Sequence, residues 1–398
     1  MTTAREQAPA LFGLQKWFWA AAAIGVIAMV IGAFVNVDQF LRSYLWAWIF
    51  MATISFGCLG ILMIQYLTGG VWGTLIRRPL EAAARTIPFV AILIIPIFLG
   101  MTHLYEWTHA EVVRHDPVLQ IKASYLNEPF FIGRTVFFFA LWMTFAFLLN
   151  HWARQYEETR SPWTALRLRQ VSGIGLPIMG FTLTFASVDW GMSLEPHWTS
   201  TMYGLSFLVG CLLNGFAFSI FSLTTACRNP EVSRIVPREK LRDLGNLLLA
   251  SVMLWAYLAF SEFMLIWYGN LREETPYFIR RAAGWWGFIA GFLIVFHFFL
   301  PFFLLLMRRI KDRPSVIRIV AILVLLVHAV DVFWLITPAF LQQGPDPWNT
   351  PFHLSWLDFA AWIGLTGLWV GLFLWQLGKR AVFPEGELIE EPEVYSHA

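Results

Sequence analysis

The chain has 398 residues, of which 58% are hydrophobic and only 14% are charged, and its mean hydropathy is +0.60. A water-soluble domain would carry ~25% charged residues, so the composition excludes an ordinary soluble enzyme and indicates a protein of the lipid bilayer. The formal net charge of +2 is too small to indicate a nucleic-acid partner.

Ten apolar segments are each long enough to cross ~30 Å of hydrocarbon as a helix. Because these runs are continuous rather than alternating, we predict an all-α polytopic membrane protein and not a transmembrane barrel. The first segment is too long for a signal-peptide core, so we expect a retained span. The predicted limits are Leu14 to Val35, Tyr44 to Gly69, Thr86 to Tyr105, Phe130 to Trp152, Val171 to Trp190, Thr201 to Cys227, Gly245 to Tyr268, Arg281 to Met307, Ser315 to Leu335 and His353 to Gln376.

Positive charges are distributed unevenly between the two sets of connecting segments. By the positive-inside rule, the side that holds most of the 28 Lys and Arg residues is cytoplasmic, and both termini lie there. After residue 379, the acidic stretch from Pro384 to Glu393 predicts a mobile cytoplasmic tail, either simply solvated or docking a partner. The other side has only Arg42, Arg114, Lys122, Arg134, Arg272, Arg280 and Arg281.

Matching segments indicate an internal duplication of four spans. Because the matches keep one order and the repeat contains an even number of spans, the two copies are parallel. The aligned pairs are Pro129 to Arg134 with Pro276 to Arg281, Ser187 to Asp189 with Ala329 to Asp331, and Gly57 to Leu59 with Gly210 to Leu212. We predict two four-helix bundles, from spans two to five (44–200) and spans six to nine (201–340). Span one (1–43) and span ten (341–378) are peripheral, and the tail is 379–398.

The three cysteines indicate which cofactors to expect. Cys58, Cys211 and Cys227 lie in apolar stretches, and none belongs to a CxxC or CxxCH motif. Iron–sulfur clusters and c-type haems need such spacings. We therefore expect no covalent cofactor and no metal site on this chain, and any redox metal would belong to a partner.

Ionisable side chains inside the spans are costly to bury and mark candidate functional positions. An Arg beside an Asp can be a purely structural pair. The functional alternative is a cleft in which a carboxylate and a histidine bind quinone oxygens and exchange protons, because quinol releases protons together with electrons. The first-bundle set is His103, Arg134 and Asp189, and the second-bundle set is Glu262, Arg281, His328 and Asp331.

Two further groups of polar residues extend this pattern toward both membrane faces. A proton path toward the cytoplasm could continue through Tyr66, His151, Asn214 and His297, although a lone buried His or Asn usually bonds a neighbouring helix. On the outer surface, Glu106, His109, Glu195 and His197 predict either a solvated surface or a proton exit that docks an extrinsic subunit.

A b-type haem would need two imidazoles at one depth on facing helices. We expect His297 to lie nearer the cytoplasm than His103 and His328, and the latter two belong to different bundles. The sequence therefore argues against a haem.

Several motifs resemble those of a known membrane-protein family. Phe185 to Trp190 with Ser193 to Trp198, and Phe260 to Tyr268 followed by Glu273 to Thr275, are similar to segments of the ActF-type subunits of bacterial alternative complex III. These subunits are NrfD-like, that is, similar to the membrane subunit of polysulfide reductase. The resemblance covers essentially the whole chain and implies a ten-span, twin-bundle protein of the bacterial inner (cytoplasmic) membrane.

The resemblance also implies a place in the respiratory chain. Such complexes oxidise menaquinol or ubiquinol and pass electrons to cytochrome c type acceptors. The implied partners are a second NrfD-like subunit, an extrinsic iron–sulfur subunit, c-type cytochrome subunits, membrane lipids and, optionally, a terminal oxidase. The chain would contribute a quinone pocket, a proton-transfer path or both, with no redox metal and no catalysis alone. His103, Asp189 and Glu262 would occupy the family's site positions on spans three, five and seven.

A secondary transporter with two parallel repeats is the alternative that the sequence leaves open. Breaks such as Gly175 to Pro177 are typical of the discontinuous helices of transporters, whose repeats rock about a midplane site. Against this alternative, no obvious unwound segment interrupts the repeats at midplane, and the buried charges gather toward one face.

Overall fold

The structure is a computed structural model that describes residues 3–341 and 351–383. Within these residues all regular structure is helical, and ten spans are long and apolar enough to cross a membrane, as the sequence predicts. The chain is therefore an all-α, multi-pass membrane protein. Spans one to ten are Pro9–Val35, Val37–Thr68, Val71–Leu99, Glu128–Thr159, Pro162–Leu194, Tyr203–Ala226, Arg238–Gly269, Gly284–Leu306, Pro314–Phe340 and Trp356–Leu377.

Short helices lie between the spans, and some predicted limits shift because of them. Span three begins at Val71 rather than near Thr86, since the helix already forms in the charged stretch before the apolar run. Arg281 does not start span eight but lies in a separate helix before it. The acidic tail from Pro384 lies outside the described residues. The short helices are Ala4–Gln7, Met101–Leu104, Glu106–Thr108, Ala110–His115, Pro117–Lys122, Pro230–Ile235, Thr275–Ala282 and Arg308–Lys311.

Spans three and eight are irregular, and proline accounts for both cases. Span three is divided into Val71–Ala84, Ile87–Ile92 and Ile95–Leu99, with Pro88 and Pro96 directly after the two breaks. In span eight a π-helical turn, Ile294–Phe299, is followed by Pro301. Proline has no N–H to donate to the carbonyl four residues earlier, so Pro301 cannot bond the carbonyl of His297, and the helix widens locally.

The first bundle has an aromatic core between spans two, four and five. The ring centroids of Trp48 and Trp190 are 4.9 Å apart, those of Phe56 and Trp142 are 4.5 Å apart, and Phe139 lies 5.2 Å from Trp142. Tilted and edge-to-face arrangements like these are the favoured geometry of aromatic pairs. The interior of this bundle is therefore filled by rings.

The two bundles meet where span two contacts span six. A Cβ at Gly57 would overlap the backbone carbonyl of Cys211, and Asn214 donates to the hydroxyl of Thr53 at 2.8 Å. Small residues let membrane helices approach closely and hydrogen-bond to each other. The aligned segments Gly57 to Leu59 and Gly210 to Leu212 thus face each other across the bundle boundary.

Spans one and ten pack as a pair, but they differ in burial. Gly25 lies against Gly364, so the two backbones are in direct contact. Trp369 of span ten is 1% exposed and donates to Ser55 at 2.8 Å and to Thr86 at 2.9 Å. Span one is largely exposed, whereas span ten packs against spans two and three, where its Trp369 indole has polar partners.

The two described ends of the chain lie on one face, here called the terminal face. The Gln7 side chain donates to the carbonyl of Phe383 at 3.0 Å and accepts from its amide at 3.0 Å. The segments 100–127 and 195–202 lie at the other ends of the spans, on what we call the loop face. The charge pattern predicts that the terminal face is cytoplasmic.

Candidate functional site

A cavity of about 570 Å³ lies inside the second bundle. Spans six to nine surround it, and Ile49 and Thr53 of span two close its inner side. This volume is within the usual range of small-molecule pockets, and the lining is mostly apolar and aromatic with a few convergent polar groups, as is typical of such pockets. The polar side chains are Thr53, Tyr203, Ser206, Glu262, Tyr277, Arg281, His328 and Asp331, with the indoles of Trp255 and Trp334.

The cavity opens sideways between spans seven and eight. Span seven packs closely on Leu300–Leu306 of span eight but diverges from Gly284–Leu293, toward the loop face. Phe260 of span seven and Ile294 of span eight both line the cavity, and they are 63% and 54% exposed. Because these flanking residues face the lipid as well as the cavity, a membrane-dissolved molecule can reach the pocket without crossing water.

Two histidines and an aspartate form the polar centre of this site: His328 and Asp331 line the cavity, and His297 is packed behind them. Asp331 Oδ2 is 3.4 Å from His328 Nδ1 and 4.0 Å from His297 Nδ1, and the imidazole centroids are 5.4 Å apart. His297 is fully buried and His328 is 3% exposed. The predicted pairing of His328 with Asp331, three residues apart on one helix face, is present.

The position of His297 corrects the sequence prediction. We expected this residue on a path toward the cytoplasm, at a depth different from that of His328, but the two rings are neighbours. Span eight begins at Gly284 rather than at Arg281, and its π-helical turn contains His297. Both features change the depth and direction of the side chain, so counting residues from Arg281 misplaces it.

Neighbouring residues orient the polar centre. Trp255 of span seven donates its indole N–H to Asp331 Oδ2 at 3.1 Å, and its ring packs edge-on against His297 with centroids 4.1 Å apart. Gly210 of span six leaves room for His328, since a Cβ there would lie 3.0 Å from the imidazole. The sequence analysis missed Trp255, because a tryptophan in an apolar span gives no signal distinct from a packing residue.

Charged residues form the end of the cavity nearest the loop face. The Arg281 guanidinium pairs with Glu195 at 2.7 Å and lies 3.6 Å from the centre of the Tyr277 ring. Burial raises the pKa of the Tyr277 phenol well above its ordinary value, so it stays a neutral hydroxyl. Glu262 is 8% exposed, and its Oε1 has no hydrogen-bond partner among the described residues. The four residues of the second-bundle set, Glu262, Arg281, His328 and Asp331, therefore line one cavity.

The first-bundle set is arranged differently. Arg134 binds both carboxylate oxygens of Asp189, at 2.8 and 2.9 Å, and donates to the carbonyl of Tyr125 at 3.0 Å. This pair satisfies itself, which favours the structural interpretation of an Arg beside an Asp. His103 pairs instead with Asp38 at 2.6 Å, with 43% of its side chain exposed. His103 thus lies at the surface, because span three ends at Leu99 before reaching it.

The remaining residues of the expected inner path do not line up. Tyr66 donates to Glu81 at 3.3 Å, and Asn214 bonds Thr53 at the bundle boundary. His151 is exposed and stacks on Phe147. Each residue has a separate local partner, and the structure does not join them into one chain of contacts among the described residues.

A buried cluster near the terminal face is the main feature that the sequence analysis missed. Arg77 and Arg78 bind the two carboxylate oxygens of Glu157 at 2.6 and 2.7 Å, and Arg78 also reaches Glu81 at 3.0 Å. Glu81 is fully buried. The spacing of Arg77, Arg78 and Glu81 is that of a helix face, but the expected start of span three at Thr86 placed them in a loop.

The four predicted outer-surface residues lie in separate places. Glu106 and His109 are exposed, whereas His197 pairs with Asp116 at 2.7 Å and Glu195 pairs with Arg281. Nearby, Lys122 donates to the carbonyl of Pro196 at 2.7 Å, and burial lowers the pKa of this lysine. Most of these contacts fasten the segment 110–126 to the segment after span five.

A scan against protein-family models finds no match for this chain, and a search of curated proteins also finds none. The resemblance of the motifs to ActF-type subunits therefore stays a prediction, and functional inference starts from the geometry of the cavity.

Proposed function

We propose that this chain is the membrane subunit of a quinol-oxidising respiratory complex and that the cavity of its second bundle binds the quinol head group. The observation that carries the proposal is the combination of an aromatic pocket, open to lipid, with buried proton acceptors at its centre. Quinols are lipid-dissolved aromatic rings with two hydroxyl groups, and both properties have a counterpart in this pocket.

The apolar part of the pocket suits a ring and its isoprenoid tail. The opening between spans seven and eight is flanked by Phe260, Phe263, Ile294 and Phe299, which are between 42% and 63% exposed. The tail would remain between these side chains and the lipid, and the head group would pass inward. A volume of about 570 Å³ is sufficient for a ring of this kind.

The polar part of the pocket supplies proton acceptors for quinol oxidation. Oxidation of one quinol releases two electrons and two protons, so a site needs groups that take the hydroxyl protons as the electrons leave. Asp331 with His328 is one such group, and Glu262 is another. The electrons leave to a redox centre of a partner subunit, since we expect this chain to hold no redox metal.

The proposed assembly follows the family resemblance. An extrinsic iron–sulfur subunit would receive the electrons and pass them to c-type cytochrome subunits, and a second NrfD-like subunit would lie beside this chain in the membrane. The lipid-facing spans of the described chain leave ample apolar surface for such a neighbour, with Trp267 at 64% and Tyr268 at 86% exposure on span seven.

The test is purification of the tagged chain from its own membranes in mild detergent, with an absorbance spectrum and an identification of the subunits. Co-purification of c-haem and iron–sulfur subunits with quinol oxidation activity supports the proposal. A colourless chain that purifies alone and transports a solute in liposomes contradicts it and favours the secondary transporter.

A further inference from the structure

We infer that His297, His328 and Asp331 together bind one divalent metal ion of the zinc type. Each residue offers one ligand atom, and these atoms all lie within 4.8 Å of one another. Two imidazole nitrogens and one carboxylate oxygen form a donor set that zinc accepts in proteins. The fourth coordination position of the ion would then face the cavity.

The ligand distances support a shared ion. Ligand atoms at ~2.05 Å from a tetrahedral zinc ion are ~3.3 Å from one another. The separation of 3.4 Å between Asp331 Oδ2 and His328 Nδ1 already has this value. The separation of 4.0 Å between Asp331 Oδ2 and His297 Nδ1, and the separation of the two imidazole ligand atoms, which is within 4.8 Å, would shorten when the ion binds. The three ligands come from two spans, so an ion would also join span eight to span nine.

The hydrogen bonding of the two imidazoles favours a ligand between them. All four ring nitrogens of His297 and His328 are buried, and apart from the 3.4 Å contact of His328 Nδ1 with Asp331 none is within hydrogen-bonding geometry of a partner among the described residues. Buried polar groups in proteins normally have partners, and a neutral imidazole nitrogen is the commonest protein ligand of transition metals. A metal ion would satisfy one nitrogen of each ring at the same time.

The surroundings have the features of a metal site's outer shell. The indole N–H of Trp255 holds Asp331 by a hydrogen bond of 3.1 Å. Hydrogen bonds of this kind fix ligating carboxylates, and their loss typically weakens metal binding 10-fold to 100-fold. The π-helical turn that carries His297 is a distortion often found at functional positions, and here it places a ligand beside span nine.

The charges around the three residues are compatible with a dication. Asp331 contributes one negative charge, and Glu262 lines the same cavity. Among the described residues the cavity is lined by one guanidinium, that of Arg281, and Glu195 pairs with it. The metal test is separate from the test of the proposed function, because metal content is measured without quinol. A bound ion would occupy the ligand atoms of Asp331 and His328, so in the ion-bound chain Glu262 would be the group that takes a hydroxyl proton.

The experiment measures metal bound to the full-length chain, purified in mild detergent without chelator and then equilibrated with Zn²⁺ or Co²⁺. We expect about one ion per chain by elemental analysis and, with Co²⁺, a visible spectrum of nitrogen and oxygen ligation. H328A and D331N should each lose this ion, and W255F should weaken its binding 10-fold to 100-fold.

Surface histidines provide the control. H103A removes an imidazole that pairs with Asp38 outside the cavity, so the bound ion should remain. Equal loss of metal in H103A and H328A, or the absence of a stoichiometric ion in the folded wild-type chain, would overturn the inference and assign the three residues to a water-bridged hydrogen-bond network. W255F keeps the test decisive if H328A does not fold.

Discussion

Arg281 forms its ion pair with Glu195, at 2.7 Å, and not with Asp331. The internal duplication aligns Arg281 with Arg134 and Asp331 with Asp189, so symmetry alone would give a second Arg–Asp pair like the one in the first bundle. Because Glu195 takes the guanidinium instead, Asp331 turns to His328 and Trp255. Within the described part of the chain, Asp331 of the second bundle is therefore a carboxylate without an arginine partner, and this difference between the copies makes its cavity chemically distinct.

The pair of Arg281 and Glu195 should matter for stability. Their side chains are only 2% and 10% exposed, and Glu195→Gln leaves the guanidinium buried with reduced compensation. Removal of one partner of a buried pair typically costs ~3–5 kcal/mol. We expect thermal unfolding in detergent to show a clear decrease in the melting temperature. Glu111→Gln is the matched control, because its pair with Arg114 is exposed and should contribute less than ~1 kcal/mol. Equal melting temperatures for the two variants would contradict the prediction.

Replacement of Asp331, one of the two carboxylates that line the cavity, should slow quinol oxidation. Asp331→Asn keeps the shape but removes a proton acceptor, and general acid–base groups typically contribute ~10²–10⁴-fold to rate. We expect a loss of ~100-fold in the assembled complex, with the subunit composition unchanged. Asp116→Asn alters the surface pair with His197 and should leave the rate close to wild type. If Asp331→Asn and Asp189→Asn both preserved quinol oxidation and proton release, neither carboxylate would be part of the proton chemistry.

The number of spans and their helical structure could be predicted from sequence. A continuous apolar segment in lipid must satisfy its backbone hydrogen bonds within itself, and only a helix does so. The clustering of Glu262, Arg281, His328 and Asp331 could be anticipated too, since each is an ionisable residue in one bundle. The depth of a side chain within the membrane was harder to predict from the sequence. The break before Gly284 and the π-helical turn shift His297 relative to a regular helix, and local hydropathy carries no sign of either.

Long-range partners were the other limit of sequence reasoning. Nothing in the local sequence indicates that Glu195 reaches Arg281, that His103 faces Asp38, or that Glu81 is buried among arginines. Such pairs depend on how the helices pack. The residue type shows only that a buried charged side chain needs a partner, and not which residue the partner is. The sequence therefore identifies the charged groups that need an ion-pair partner, and the structure identifies the partner.

A bulky residue at the cavity wall should block the site. Ala259 of span seven lines the cavity, and Ala259→Trp would fill space that a ring ligand needs. We expect photo-crosslinking of a quinone analogue to the purified complex to decrease at least ~10-fold, because the ligand and the indole cannot occupy the same volume. Leu254→Trp places the same side chain at a position of the same span that is 44% exposed and does not line the cavity. Labelling that persists in Ala259→Trp at the level of Leu254→Trp would place the quinone elsewhere.

The predicted orientation can be tested by cysteine labelling. In a Cys227→Ser background the two remaining native cysteines, Cys58 and Cys211, are buried. One cysteine is then introduced at the exposed position His109, on the loop face, or at the exposed position Arg234, on the terminal face. A membrane-impermeant maleimide applied to intact cells should react at position 109 only, since the positive-inside rule places the terminal face in the cytoplasm. Labelling at position 234 and not at position 109 would show that the chain has the opposite orientation. Permeabilised cells, in which both positions should react, are the control.

The contact between the two bundles should tolerate no added atoms. A methyl group at Gly57 would overlap the carbonyl oxygen of Cys211, which is backbone and cannot rotate away. Overpacking of this kind typically costs ~1–3 kcal/mol, so we expect Gly57→Ala to unfold at a lower temperature in detergent than the wild-type chain. Gly180→Ala is the matched control, because among the described residues no atom outside its own stretch of helix lies within 4 Å of the corresponding position. Alanine also favours a helix by up to ~1 kcal/mol over glycine. Close packing at Gly57 stabilises the contact between the two bundles only if Gly57→Ala is destabilised and Gly180→Ala is not. A shared decrease would instead indicate a general effect of replacing glycine in these spans.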